Sequence, residues 1–235
     1  IEELIGEPMA AHVTRQPDCY IVHRASALPP DAVGAHAARV DALLSQHDTS
    51  GYLGPIQATR RMSRSDVERL SGGHGLAGFE VPEYSIDTRW LADRLADAVD
   101  ACPEIEVKLG HTVTGVTAEN GCFDGPWRVH LADDVNDGPY DGVVNALWEN
   151  RLSIDHALGL KVAGDWLHRF RKSLFIRTAQ PIDVPGRVFV LGPFGDMKNY
   201  DGRAFYVSWY PAGLIAEGTE ICPPDTTAGR SDADV

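Results

Sequence analysis

Two short stretches carry the side chains best suited to handling a small molecule. In FYVSWY, residues 205–210, strand alternation puts Tyr206, Ser208 and Tyr210 on one face and Phe205, Val207 and Trp209 on the other. If the second face is core, the tyrosine face is left to roof a pocket, where a phenol positions a substrate or donates a hydrogen bond. In LFIRT, residues 174–178, Arg177 interrupts an apolar run. On an inner face its guanidinium would grip a carboxylate through two parallel hydrogen bonds. If Ile176 is core, alternation turns Arg177 outward instead.

Other catalytic sets are missing. The nine histidines form no H-E-x-x-H or H-x-H pair, so no metal site is expected. There is no G-x-S-x-G elbow and no G-x-x-x-x-G-K-[ST] phosphate loop. GGHGLAG, residues 72–78, is glycine-rich but follows no strand of the right kind, and reads as a surface turn. Arg169, Arg171 and Lys172 read as a solvated cluster that blunts a strand edge. Trp148 and Trp166 read as packing residues. A flavin enzyme needs few acid–base groups, because the cofactor carries the hard chemistry.

The elements that must position these residues follow from periodicity. CYIVHRAS (19–26) has strand content. The prolines after it suit a helix start, and Val33, Ala37, Val40 and Leu44 recur at helical spacing. DTSGYLGP (48–55) reads as a loop, and SRSDVERL as a short helix capped by Ser63 or Ser65. SIDTRWLADRLADAVDACP (85–103) is the clearest helix, capped by Asp87, with Leu91, Leu95, Ala98 and Val99 on one face and Pro103 beyond its end. Ile105, Val107 and Leu109 alternate as in a strand, and WRVHLAD (127–133) alternates again after a turn at ENGCFDG. YDGVVNAL (140–147) reads as a strand buried on both faces, although Asn145 also suits a turn that ends it. SLFIRTAQP, RVFVLGP and RAFYVSWYP are further strands, with Asp201-Gly202 turning the chain before the last. GPFGDMKNYDG (192–202) joins two of them and reads as a pocket-rim loop.

Composition bounds the function. The 235 residues carry a formal charge of −13, which argues against nucleic acid as a partner. No apolar run approaches the length of a membrane span, and no signal peptide is visible. Four scattered cysteines without a C-x-x-C pair fit a reducing, cytoplasmic setting. The sequence opens at Ile1 in what reads as mid-element, so an upstream portion is expected.

Taken in order, SIDTRWLADRLADAV, VKLGHTVTGV, YDGVVNALWENRLSIDHALGL, LGPFGD and YVSWYPAG resemble the FAD-dependent oxidoreductases of the D-amino-acid oxidase type. The resemblance covers roughly Cys19 to Pro224. It implies a mixed α/β (α+β) fold: a partial Rossmann-like FAD-binding layer plus a mainly antiparallel substrate sheet. It implies oxidation of an amine or amino-acid-like small molecule by hydride transfer to flavin. By similarity, Thr112 and Val113 would lie near the adenine end of FAD, and Asn145, Ala146 and Leu147 near the pyrophosphate. The domains implied are 1–84 as substrate-domain strand and helices, 85–150 as part of the FAD-binding domain, 151–222 as substrate sheet and 223–235 as a disordered tail.

The sequence departs from the family where the cofactor is usually held. The G-x-G-x-x-G loop after a first strand is absent, as is the acidic residue that takes the ribose. Strong FAD binding or turnover is therefore not expected of these residues alone. An N-terminal segment or a partner chain would have to complete the sheet. The alternative is a non-catalytic module that keeps the substrate sheet and binds a ligand or partner. A third, a sugar- or nucleotide-modifying protein with similar strands by coincidence, has less behind it.

Overall fold

The computed structural model describes residues 1–14, 16–47, 56–121, 123, 125–161 and 165–222. The expected loop at 48–55 and the expected tail at 223–235 lie outside the described residues. The chain is mixed α/β and forms two compact units. The first comprises Ile1–Ile105 and Lys172–Leu214; the second comprises Glu106–Arg171 and the stretch from Ile215.

In chain order the first unit begins with α1 (Glu2–Ile5), β1 (Cys19–His23), α2 (Pro30–Leu44), β2 (Arg60–Arg61), α3 (Arg64–Ser71), β3 (Gly75–Glu80) and α4 (Thr88–Asp100). The second unit supplies β4 (Val113–Ala118), β5 (Trp127–Leu131), β6 (Asn136–Tyr140), α5 (Arg151–Ala157) and β7 (His168–Arg171). The chain then adds β8 (Leu174–Arg177), β9 (Arg187–Phe189), β10 (Gly195–Asn199), β11 (Ala204–Trp209), α6 (Tyr210–Gly213) and β12 (Leu214–Gly218).

The first unit is organised by a seven-stranded sheet in the order β2-β3-β1-β9-β10-β11-β8. Strands β1 and β9 run parallel, and the other neighbours in this sheet are antiparallel. Both faces of β1 and β3 are covered. On one, Val22, Ala77 and Phe79 pack with Val33 of α2; on the other, Cys19 and Ile21 pack with Leu70 of α3. Burial on both faces explains why β1 reads as a continuous apolar run.

The glycines of β3 have a packing role. A Cβ at Gly75 or Gly78 would sit 2.7 or 2.9 Å from the Val67 side chain of α3, so the helix rests directly on the strand backbone. Of the segment expected to be a surface turn, Gly72 and Gly73 do turn the chain, but 75–78 is an inner strand. Helix α3 starts as expected: the Ser63 hydroxyl accepts the Asp66 N–H at 3.1 Å. Ser63→Ala should cost about 1 kcal/mol in urea-unfolding stability, since one N-terminal N–H loses its acceptor.

Helix α4 is capped by Asp87, whose carboxylate accepts from the Arg89 and Trp90 N–H groups at 3.0 and 3.1 Å. Its Trp90 ring stacks on His12 at 3.6 Å. In the second unit, β4, β5 and β6 form an antiparallel sheet, and β7 pairs with β12.

The stretch 141–147 corrects the expectation of a strand buried on both faces. It forms no ladder with another described strand, and Val144 is 91% exposed. Leu109 and Trp148 are 84% and 90% exposed, and 106–110 likewise joins no strand. A β-branched run becomes a buried strand only when neighbours cover it, and the described residues provide none here.

Candidate functional site

Register assigns the side chains of β8 to β11 to faces. Asp196 and Lys198 lie opposite Ser208 and Tyr206, and Phe175 and Arg177 lie opposite Tyr206 and Ala204. One face therefore carries Asp196, Lys198, Tyr206, Ser208 and Arg177. The other carries Met197, Phe205, Val207 and Ile176. Phe205 is buried on the apolar face, and Ser208 is buried as fully on the polar, tyrosine face, so both faces of β11 are covered there.

Tyr206 is half-buried on this face. Its hydroxyl lies 2.9 Å from the Ser173 Oγ, and its ring meets Phe175 at 5.3 Å. Arg177 ends the edge strand β8 on the same face, exposed. Ile176 faces the Phe205 side, as alternation requires, but the outward position of Arg177 is the side that Tyr206 occupies. Tyr210 is different. Strand β11 ends at Trp209 and Tyr210 opens the short helix α6, so the alternation linking it to Tyr206 and Ser208 stops one residue earlier.

The most unusual feature of this face was not among the expected site residues. Asp18, two per cent exposed, forms an ion pair with Lys198, which is 21% exposed. Its Oδ2 also accepts from the Ser85 hydroxyl at 3.3 Å. Its Oδ1 is buried without a hydrogen-bond partner and lies against Gly186, where a Cβ would collide with it. Strand alternation at the start of β1 and the lysine in GDMKN were the available signals. The second was hidden because 192–202 reads as a rim loop.

Beside this pair opens a cavity of about 360 Å³ at the end of the β10–β11 hairpin. Gln16, Asp183, Gly186, Asn199 and Tyr200 are among its walls. Asn199 ties the wall together, donating to the Val184 carbonyl at 2.6 Å and accepting from the Gly202 N–H at 2.7 Å. Asp201 accepts from the Ala204 and Arg203 N–H groups at 2.6 and 2.7 Å. Those two bonds, and then the Arg177 and Arg203 charges, hold its carboxyl below the usual range.

On the apolar face, burial first and then the carboxylates of Glu80 and Asp18 push the Cys19 thiol up to about 11. Cys19 should resist alkylation at neutral pH until the chain unfolds, whereas exposed Cys222 should label at once; peptide mapping by mass spectrometry reads both.

The residues expected near FAD lie in the second unit. Val113 opens β4 opposite Leu131, and the Thr112 carbonyl accepts from the Ala132 N–H at 3.0 Å. Asn145 donates to the Arg151 carbonyl at 3.0 Å and to the Asp155 carboxylate at 2.8 Å, while accepting weakly from the Leu147 N–H at 3.3 Å. Its side chain thus fastens the turn into α5. Ala146 and Leu147 continue the exposed stretch, and among the described residues no backbone hydrogen bond engages 142–146. No group of three or more metal-binding side chains occurs among the described residues. No described helix is long and apolar enough to cross a membrane.

No protein-family model matches the sequence. No curated protein matches it either. Among solved structures, iminodiacetate oxidase (IdaA) from Chelativorans sp. BNC1 is similar in fold, with a TM-score of 0.55 at 14% identity over 88% of this chain. That match covers 52% of the oxidase, so the chain spans about half the length of the structure it resembles.

Proposed function

We propose that this chain is the substrate-sheet part of an FAD-dependent oxidoreductase acting on a small amine or amino-acid-like molecule. The observation that carries the reading is the fold shared with iminodiacetate oxidase over 88% of the chain. Iminodiacetate is a secondary amine flanked by two carboxylates. A pocket for such a molecule needs a cation and neutral donors on one surface. Arg177 and Tyr206 lie on the same sheet face, and Lys198 beside them is already neutralised by Asp18. In this reading Arg177 takes a substrate carboxylate, Tyr206 orients the amine, and Tyr210 borders the same pocket from α6. A flavin supplies the hydride acceptance when bound.

The residues present do not make a complete FAD site. Thr112, Val113, Asn145, Ala146 and Leu147 are proposed to border the dinucleotide, and the backbone of 142–146, engaged by no described backbone group, would be open to it. Among the described residues no glycine-rich loop joins a strand to a helix N-terminus, the arrangement that cradles a pyrophosphate. Exposed Leu109, Val144 and Trp148 mark where a completing element, an N-terminal segment or a partner chain, would seat. FAD titrated into these 235 residues should therefore quench without saturating in the micromolar range. Saturable micromolar binding would show that the residues present suffice, and would remove the need for a completing element.

The incomplete cradle favours one second reading, a binding module that keeps the sheet and has no redox chemistry. A cytoplasmic setting goes with either reading, since Cys19, Cys102 and Cys222 are unbridged.

A further inference from the structure

The apolar stripe of α2 is longer than the sheet surface it covers. Val33, Ala37, Val40 and Leu44 recur on one helix face. Val33, near the start, is packed into the core with Val22 and Phe79, yet Val40 two turns later is 36% exposed. Between the second half of this stripe and the sheet lies a cavity of about 280 Å³, walled also by Tyr20 and Phe79. Its size is at the small end for ligand cavities, roughly 300 Å³.

The polar groups at its rim point to one kind of occupant. The Tyr20 hydroxyl donates to both oxygens of Glu83, at 2.8 and 3.0 Å. Burial first, then the Glu83 hydrogen bond, raises the Tyr20 phenol above its ordinary value, so it stays a neutral donor. Among the described residues Glu83 forms no ion pair, and His36 is the one basic side chain that lines the cavity. A second carboxylate at the helix end, Asp41, is already taken by the Thr59 N–H and hydroxyl, the latter at 2.9 Å. One exposed carboxylate, held only by the Tyr20 hydroxyl among the described side chains, therefore stands at the mouth of a mainly apolar chamber.

We propose that the cavity between α2 and strands β1 and β3 is a binding site for a small amphipathic organic amine, its apolar body against Val40, Leu44 and Phe79 and its ammonium group on Glu83. The site shares a sheet face with Tyr206 but is set apart from it by β9 and β10, and it is independent of any flavin. A neutral ligand of the same shape would bury the same surface but leave the Glu83 charge unmet. An anion would meet repulsion from Glu83 and from a chain of net charge −13.

The test uses three probes of one shape: 2-phenylethylamine, 2-phenylethanol and 3-phenylpropionate. Each is titrated calorimetrically into the chain, with thermal unfolding as a second readout. The amine should bind at least 10-fold more tightly than the alcohol, and the propionate more weakly than either. Glu83→Gln should bring the amine to the level of the alcohol. Val40→Phe, which fills the chamber, should abolish binding of both. Equal affinity for amine and alcohol, an unchanged amine affinity in Glu83→Gln, or no amine binding at millimolar concentration would overturn the assignment. So would concentration-dependent self-association that Val40→Phe removes, since a second copy would then be the occupant. Circular dichroism confirms that each variant is folded.

Discussion

Lys198→Met should lower the stability of the chain by about 3–5 kcal/mol, measured by urea unfolding. The lysine is the cation on Asp18, which is two per cent exposed. Methionine keeps most of the stem and removes the charge, so what is lost is the compensation and not the packing. The Asp18 carboxylate would remain buried with only the Ser85 hydroxyl on Oδ2 and nothing on Oδ1. A rescue is expected as well. Replacing both members, Asp18→Asn with Lys198→Met, should recover most of the loss, because a neutral amide costs far less to bury than an orphaned charge. A double variant no better than Lys198→Met would mean that the lysine acts through packing instead.

Gly195→Ala should be as damaging, costing about 3 kcal/mol or more. Gly195 opens β10 opposite Trp209 of β11. A Cβ there would run into the Ser208 carbonyl oxygen and the Trp209 Cα, which are backbone and have no rotamer to yield. Relief requires parting the β10–β11 ladder, which carries Asp196, Lys198, Tyr206 and Ser208. Amide hydrogen exchange should speed up first along 195–199 and 204–209. Unchanged protection in these strands would contradict the register.

The elements that were legible in the sequence are those with local causes. Asp87 and Ser63 cap α4 and α3 because a side-chain oxygen meets a nearby N–H, a relation that spacing alone discloses. Strand β1 and the Asp201-Gly202 turn were legible for the same reason. What stayed hidden depends on distant partners. Strand β3 reads as a turn because its glycines are set by the approach of α3, not by its own backbone preference. Strand β10, with Asp196, Lys198 and Asn199, lacks strand-forming residues and is held by β9 and β11 on either side. The run 141–147 errs the other way, apolar enough for a strand but without a described neighbour.

The candidate site was legible in outline only. Alternation gave the shared face of Tyr206 and Ser208 and the core face of Phe205, but it could not foresee that β11 stops before Tyr210. Arg177 could be placed only once β8 was known to be the sheet edge beside Tyr206. The Asp18–Lys198 pair joins residues 180 positions apart, and the local signals at each end do not disclose that the two meet.

An amine-oxidising flavoprotein has a flavin that its substrate reduces in the absence of oxygen. The product of the complete reading frame, purified and reconstituted with FAD, is mixed without oxygen with iminodiacetate, other secondary amines and amino acids. Bound FAD should bleach with at least one of them, air should restore its colour, and Arg177→Met should raise the substrate concentration needed. A folded protein that retains no FAD, or one whose bound FAD no amine or amino acid reduces, would contradict it and leave the binding-module reading in its place.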